Sequence, residues 1–223
     1  MHCHSLENVV IHNGVKNIGC DAFSSCTALK SIIIPDSVTD VGYDVFAGCF
    51  SLECISEKFA TEDNRALVVD GELIAVAANG LTEYKIPNSV TSIGYGAFLG
   101  CYSLRSIHIP NRVKEIGEFA FYGCASLQTI YIPKCVDNIG GYAFYGCKSL
   151  TSITIPKNVT EVKMKAFEQC ASLESVTILS RVKLKHGVFR ECPSLKTINV
   201  PKDCVDFYKD CLPNDLWQFI DVF

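Results

Sequence analysis

Residues 124–147 read Cys-Ala-Ser-Leu-Gln-Thr-Ile-Tyr-Ile-Pro-Lys-Cys-Val-Asp-Asn-Ile-Gly-Gly-Tyr-Ala-Phe-Tyr-Gly-Cys, and variants of this stretch run through almost the whole chain. Cys3, Cys26 and Cys49 stand 23 residues apart; Cys101, Cys124, Cys147 and Cys170 keep that spacing, and Cys192 follows after 22. A fixed period of this length marks a stack of similar coils, each burying its apolar side chains against its neighbours.

Each slot has a physical reading. Leu127, Ile130 and Ile132 carry the alternation of a short strand with one buried face. Pro133 lacks an N–H, so it ends the ladder and turns the chain. Val136 and Ile139 return apolar side chains to the core along the opposite wall, and Gly140 suits a tight bend or a positive φ. Ala143 and Phe144 form a small–large pair on a short helical turn, with the ring filling the space between coils. Stacking such coils builds a parallel sheet on one side.

The cysteine column could signify metal or disulfide chemistry. Copies of one slot lie about 4.7–4.9 Å apart, near disulfide range for Cα atoms. Equivalent side chains, however, run parallel into the core, where a free thiol acts as a small apolar group with a weak donor. A structural thiol ladder is therefore expected, each thiol bonding turn backbone. Cys20, Cys54, Cys135, Cys204 and Cys211 fall in no common slot, and no Cys-x-x-Cys pair occurs.

The pattern breaks in three places. Leu52 to Leu81 spans 29 residues, and within it Ala66–Val69 and Glu72–Ala77 flank Asp70-Gly71, the signal of a two-residue hairpin. Between Val162 and Phe189, Lys163 replaces glycine, Leu179-Ser180 replaces Ile-Pro, and one residue is missing. After Val200-Pro201 the repeat stops, and a helical segment followed by Leu216–Ile220, with the single tryptophan, reads as a C-terminal cap. The expected organisation is a repeat array over 1–201, with a hairpin insertion at about 57–80, and a cap over 202–223. Cys3-His4-Ser5-Leu6 is already in register, which leads us to expect further repeats, and an export signal, before Met1.

The recurring Ser-Leu-x-x-Ile-x-Ile-Pro-x-x-Val-x-x-Ile-Gly-x-x-Ala-Phe-x-x-Cys unit resembles the BspA-like (treponemal-type) leucine-rich repeat, from Cys3 to about Pro201. The Asp-Gly hairpin and the ending through Val205, Tyr208 and Lys209 are similar to bacterial members. The resemblance implies a leucine-rich-repeat right-handed solenoid of short parallel strands with short helical turns. It also implies a surface-attached or secreted, host-associated protein with an adhesive role, and it offers no catalytic residues.

Composition narrows function further. The 223 residues are 48% apolar and 20% charged, enough for a continuous core. A net charge of −4 gives no electrostatic case for nucleic acid. No run of 18 apolar residues is present to span a bilayer. The five histidines occupy different slots; His2-Cys3-His4 could chelate a metal, but Cys3 belongs to the ladder. Neither a phosphate loop nor a Gly-x-Ser-x-Gly elbow occurs, so neither cofactor nor catalytic residue is expected.

Binding is the stronger reading, with a protein or glycan as partner. The outward strand residues form two columns. One runs Asn8, Ser31, Glu83, Ser106, Thr129, Ser152, Ser175, Thr197, and its hydroxyls satisfy exposed sheet propensity as readily as a ligand. The other runs Val10, Ile33, Lys85, His108, Tyr131, Thr154, Thr177 and Asn199, and its first seven members are the candidate contacts, His108 and Tyr131 at their centre. The alternatives are a spacer holding another domain away from the cell and, third, a metal-dependent enzyme.

Overall fold

In a computed structural model, which describes residues 3–223, the chain winds into a β-solenoid of nine coils. One wall carries the strands Asn8–Val10, Ser31–Ile34, Cys54–Glu57, Glu83–Lys85, Ser106–His108, Thr129–Ile130, Ser152–Ile155, Ser175–Ile178 and Thr197–Val200. Neighbours pair in parallel one period apart, as Asn8 with Ser31 and Ser106 with Thr129. Along Ser152–Ile155 exposed and buried residues alternate, so one face looks out and one into the core. The opposite wall is a ladder of two-residue strands, including Ser92–Ile93, Glu115–Ile116, Asn138–Ile139 and Glu161–Val162.

Phenylalanine fills the interior as a stack. The rings of Phe98, Phe121, Phe144 and Phe167 are fully buried and lie 4.8, 5.1 and 5.0 Å apart, within 12° of parallel. Removing one such ring costs about 3–5 kcal/mol, because lost transfer energy and an unfilled cavity add. The cysteines beside them are all free thiols. Cys147 Sγ donates to Phe121 O at 3.4 Å, Cys170 Sγ to Phe144 O at 3.3 Å and Cys192 Sγ to Phe167 O at 3.2 Å. The same carbonyls accept the N–H of their own coil's cysteine, Phe121 O from Cys124 N at 3.1 Å and Phe144 O from Cys147 N at 3.2 Å. The thiol is thus a second donor to an acceptor with two lone pairs.

The repeated glycine plays a different part from the one its sequence suggests. Gly42, Gly94, Gly117 and Gly140 do not have positive φ. They are required by close approach: a Cβ on Gly140 would lie 2.5 Å from Glu118 N, and one on Gly117 2.8 Å from Ile93 O. The same approach lets Gly117 N donate to Ile93 O at 2.8 Å and Gly140 N to Ile116 O at 2.8 Å. Left-handed backbone falls instead two residues later, at Asp44, Phe119, Tyr142 and Lys165, and again just before the cysteine, at Gly100, Gly123 and Gly146. These residues stop each helical turn after one cycle, which closes by bonds such as Cys124 N to Phe121 O.

The stack changes character at the longest coil. Ala66–Val69 and Glu72–Val76 pair antiparallel about Asp70 and Gly71, both with positive φ as a type I′ turn requires. The second arm takes the return-wall position, Leu73 pairing with Ile93. The core accordingly forms two clusters rather than one continuous body: Leu67 and Ala75 pack with the N-terminal coils, Ala66, Leu73 and Val76 with the rest. After Pro201 a helix, Val205–Cys211, lies against the last coils, and Ile220–Val222 adds in parallel to Thr197–Val200. Tyr208 is fully buried there; its hydroxyl donates to Ser180 O at 2.6 Å and accepts from Val182 N at 2.9 Å.

Two substitutions separate close approach from backbone handedness. Gly140→Ala should lower stability by about 1–3 kcal/mol, since the methyl meets rigid backbone. Gly146→Asn, at φ 70° with 3.8 Å of clearance, should cost less than about 1 kcal/mol, because Asn tolerates that conformation. Urea unfolding of both variants checks this, and equal or reversed losses would refute it.

Candidate binding site on the sheet face

The outward column is ordered by strand register. Val10 pairs with Ile33, Lys85 with His108, and Thr154 with Thr177, which in turn pairs with Asn199. Lys85, His108 and Thr154 are exposed, and Ile33 and Thr177 half-buried. Val10 is 56% and Tyr131 62% exposed, large apolar surfaces held in water. Tyr131 follows directly on Thr129–Ile130, whose pairing sets Ile107 opposite Ile130, so it continues the column from His108.

Strand pairing along this face is interrupted. Cys54–Glu57 pairs only with Ser31–Ile34, and Glu83–Lys85 only with Ser106–His108. Val10 and Ile33 therefore lie on one patch, with Ser56 as the next member of their column. Lys85, His108 and Tyr131 form the second, over three successive coils. Thr154 and Thr177 belong to a third group of strands. Cys54, placed by the sequence reading in no common slot, sits opposite Ser31 in the first outward column, one 23-residue period after it.

At the break between the first two patches, the loop before the hairpin rises beside the sheet. A cleft of about 730 Å³ opens there between Phe59–Asp63 and Lys85–Ser89. The loop is pinned from within: Thr61 Oγ1 accepts from Ala66 N and donates to Asp63, whose Oδ1 accepts from Arg65 N at 3.0 Å. Lys58 Nζ lies 4.9 Å from the centre of the Phe59 ring. Lys85 thus lines both the cleft and a shallower groove over Glu83–Lys85 and Ser106–His108. The wall offers two carboxylates, Glu62 and Asp63, opposite a lysine, above the apolar surface of Phe59, Val68, Ile86 and Pro87. That mixture of apolar floor and fixed charges suits recognition of a ligand rather than bond chemistry.

A second feature, half-buried along the turns, has no counterpart in the sequence reading. Tyr95, Phe119 and Tyr142 run as a ribbon of rings, Phe119 and Tyr142 stacked at 4.9 Å and 3°. Tyr122 and Tyr145 stack beside them at 4.9 Å. At one end Lys165 Nζ sits 5.5 Å over Tyr142; at the other, Tyr43 is close to Tyr95, 5.7 Å between ring centres. Tyr95 lies one residue past the glycine slot, and Phe119 and Tyr142 two residues past it, on left-handed backbone. Asp44 shares that slot, its Oδ1 buried without a hydrogen-bond partner. Burial, and then the Asp21 carboxylate, push its carboxyl up to about 6.

Among the described residues no group of three or more His, Cys, Asp or Glu side chains could hold a metal ion; His2 lies outside those residues. No helix among them is long and apolar enough to cross a membrane.

Residues 1–63 and 77–196 match the family model of the BspA type leucine rich repeat region, in six copies. Among solved structures, a leucine rich cell surface protein from Faecalibacterium prausnitzii has a TM-score of 0.76 at 28% identity, over 98% of this chain and 63% of its own. A leucine-rich repeat protein from Eubacterium ventriosum gives 0.67 at 27% identity, over 88% and 61%. The pneumococcal vaccine antigen PcpA shares the fold, with 0.68 at 23% identity over 87% and 56%. The chain spans about six tenths of the length of these proteins. No curated protein matches its sequence.

Asp44 supplies a test of the turn's electrostatics. A carboxyl raised from 3.8 to about 6 disfavours the folded state once it ionises. Asp44→Asn should therefore stabilise the protein at pH 7.5 by about 1–2 kcal/mol, allowing for partial solvent screening. The gain should shrink as pH falls through about 6 and vanish near 3.8. Thermal unfolding across that range checks it; a gain independent of pH would contradict the assignment.

Proposed function

Because the chain belongs to the BspA-type leucine-rich-repeat family, we propose that it is a non-enzymatic binding module of the bacterial surface that holds a protein partner on its sheet face. The observation that carries this reading is the run Lys85, His108, Tyr131 beside the cleft. A rigid strand scaffold presents a cation, an imidazole and an exposed ring in line, with a pinned loop as side wall. Interfaces draw much of their affinity from a few aromatic and cationic side chains placed in this way.

The surface location is inferred from likeness to a protein described as a cell surface protein. Val10 and Ile33 extend the contact on the neighbouring patch, and Thr154 and Thr177 on the far one. A spacer that holds a neighbouring domain away from the cell is the competing reading.

The test is capture of host matrix proteins and glycan arrays by the chain and by a His108→Ala, Tyr131→Ala variant. A protein ligand that loses at least tenfold in affinity with the double variant supports the reading. Undiminished binding by the variant would reject this patch. Binding of glycans alone would reject the protein partner, and failure to bind any ligand would favour the spacer.

A further inference from the structure

In the coils whose turns hold Phe121, Phe144 and Phe167, the turn sends three backbone N–H groups to the coil that follows. Phe119, Phe121 and Gly123 donate to Gly141, Ala143 and Tyr145 at 3.0, 2.7 and 2.8 Å. Lys165, Phe167 and Gln169 donate to His186, Val188 and Arg190, each at 3.0 Å. The equivalent donors of the last coil are Gly187, Phe189 and Glu191. No repeat coil follows them, because the chain turns at Pro201 into the 3-10 segment Lys202–Cys204.

All three residues line a cavity of about 650 Å³, closed on its other side by Leu212, Leu216 and Phe219. The phenylalanine stack also ends here, with Phe189 5.8 Å from Phe167. The Phe189 carbonyl is in a matching position, since earlier phenylalanine carbonyls receive the thiol of the following coil. The cavity therefore has an apolar wall, a row of donors at two-residue spacing, and an acceptor.

The cations at its rim are already engaged, Lys185 with Glu161 at 3.2 Å and Arg190 with Glu168 at 3.8 Å and Glu191 at 3.7 Å. Neutral carbonyls fit such a row better than a free carboxylate, which would lack a counter-charge.

We propose that this cavity is a peptide-binding site, which takes an extended segment with an aromatic side chain in the manner of one more turn of the solenoid. The segment's carbonyls accept from Gly187, Phe189 and Glu191, its ring enters the cavity against Leu216 and Phe219, and a hydroxyl or thiol three residues after the ring donates to Phe189 O. This site is separate from the sheet face and stands or falls independently of it.

The experiment titrates the ¹⁵N-labelled chain with a capped hexapeptide of the sequence of residues 142–147, its cysteine exchanged for serine. Amide shifts at Gly187, Phe189 and Glu191 are expected. Exchange of the peptide's phenylalanine for alanine should weaken binding at least tenfold, as loss of a buried ring implies. Leu216→Trp, which fills the cavity, should abolish binding, whereas the His108→Ala, Tyr131→Ala variant should bind the peptide normally. No binding of the peptide, equal binding of its alanine version, or tighter binding of phenylacetate at the same amides would overturn the proposal.

Discussion

A coil of this protein cannot satisfy its own backbone; it does so on the coils before and after it. That constraint sets the rest of the structure. Phe121 N donates forward to Ala143 O, Gly140 N donates back to Ile116 O, and Cys147 Sγ donates back to Phe121 O. Each bond recurs with the repeat period, so side chains in one slot must fall in line. The phenylalanine stack follows from this alignment, as do the missing Cβ of the glycine column and the burial of the thiols. The coil one residue short, from Cys170 to Cys192, keeps these bonds, as Phe167 N to Val188 O and Cys192 Sγ to Phe167 O show, and after its large insertion the chain returns to register at Leu73 and Ile93.

Features that differ from the repeat arise where the constraint is relaxed. At the long coil the hairpin supplies no phenylalanine to the stack and the sheet face divides. The loop released there, stiffened by Thr61 and Asp63, makes the wall of the cleft beside Lys85. At the last coil the forward donors meet a cavity instead of a neighbour. In both places binding capacity comes from an interruption of a regular ladder, while the regular coils provide stiffness.

Much of this was legible in the sequence because a period constrains many residues together. The strand slots, the inward cysteines and the outward columns all follow from reading residues 124–147 against their copies. Of the two readings of the glycine, positive φ is wrong, because sequence cannot distinguish a residue needed for that from one needed for close approach; the 2.5 Å from a Cβ on Gly140 to Glu118 N settles it. The aromatic ribbon was missed because Phe119 and Tyr142 occupy left-handed backbone, where bulky side chains are uncommon. The division of the sheet face depends on how Cys54–Glu57 and Glu83–Lys85 sit across the long coil, which a local pattern does not encode.

The forward ladder of the turns is measured most directly by amide hydrogen exchange. Phe98, Phe121, Phe144 and Phe167 donate to the next coil at 2.7–3.0 Å and should be among the slowest amides in the protein. Phe189, also buried as a side chain but with no repeat turn stacked on it, should exchange at least tenfold faster. Equal protection at Phe189 and Phe144, or fast exchange throughout the series, would contradict an architecture held together by bonds between successive coils.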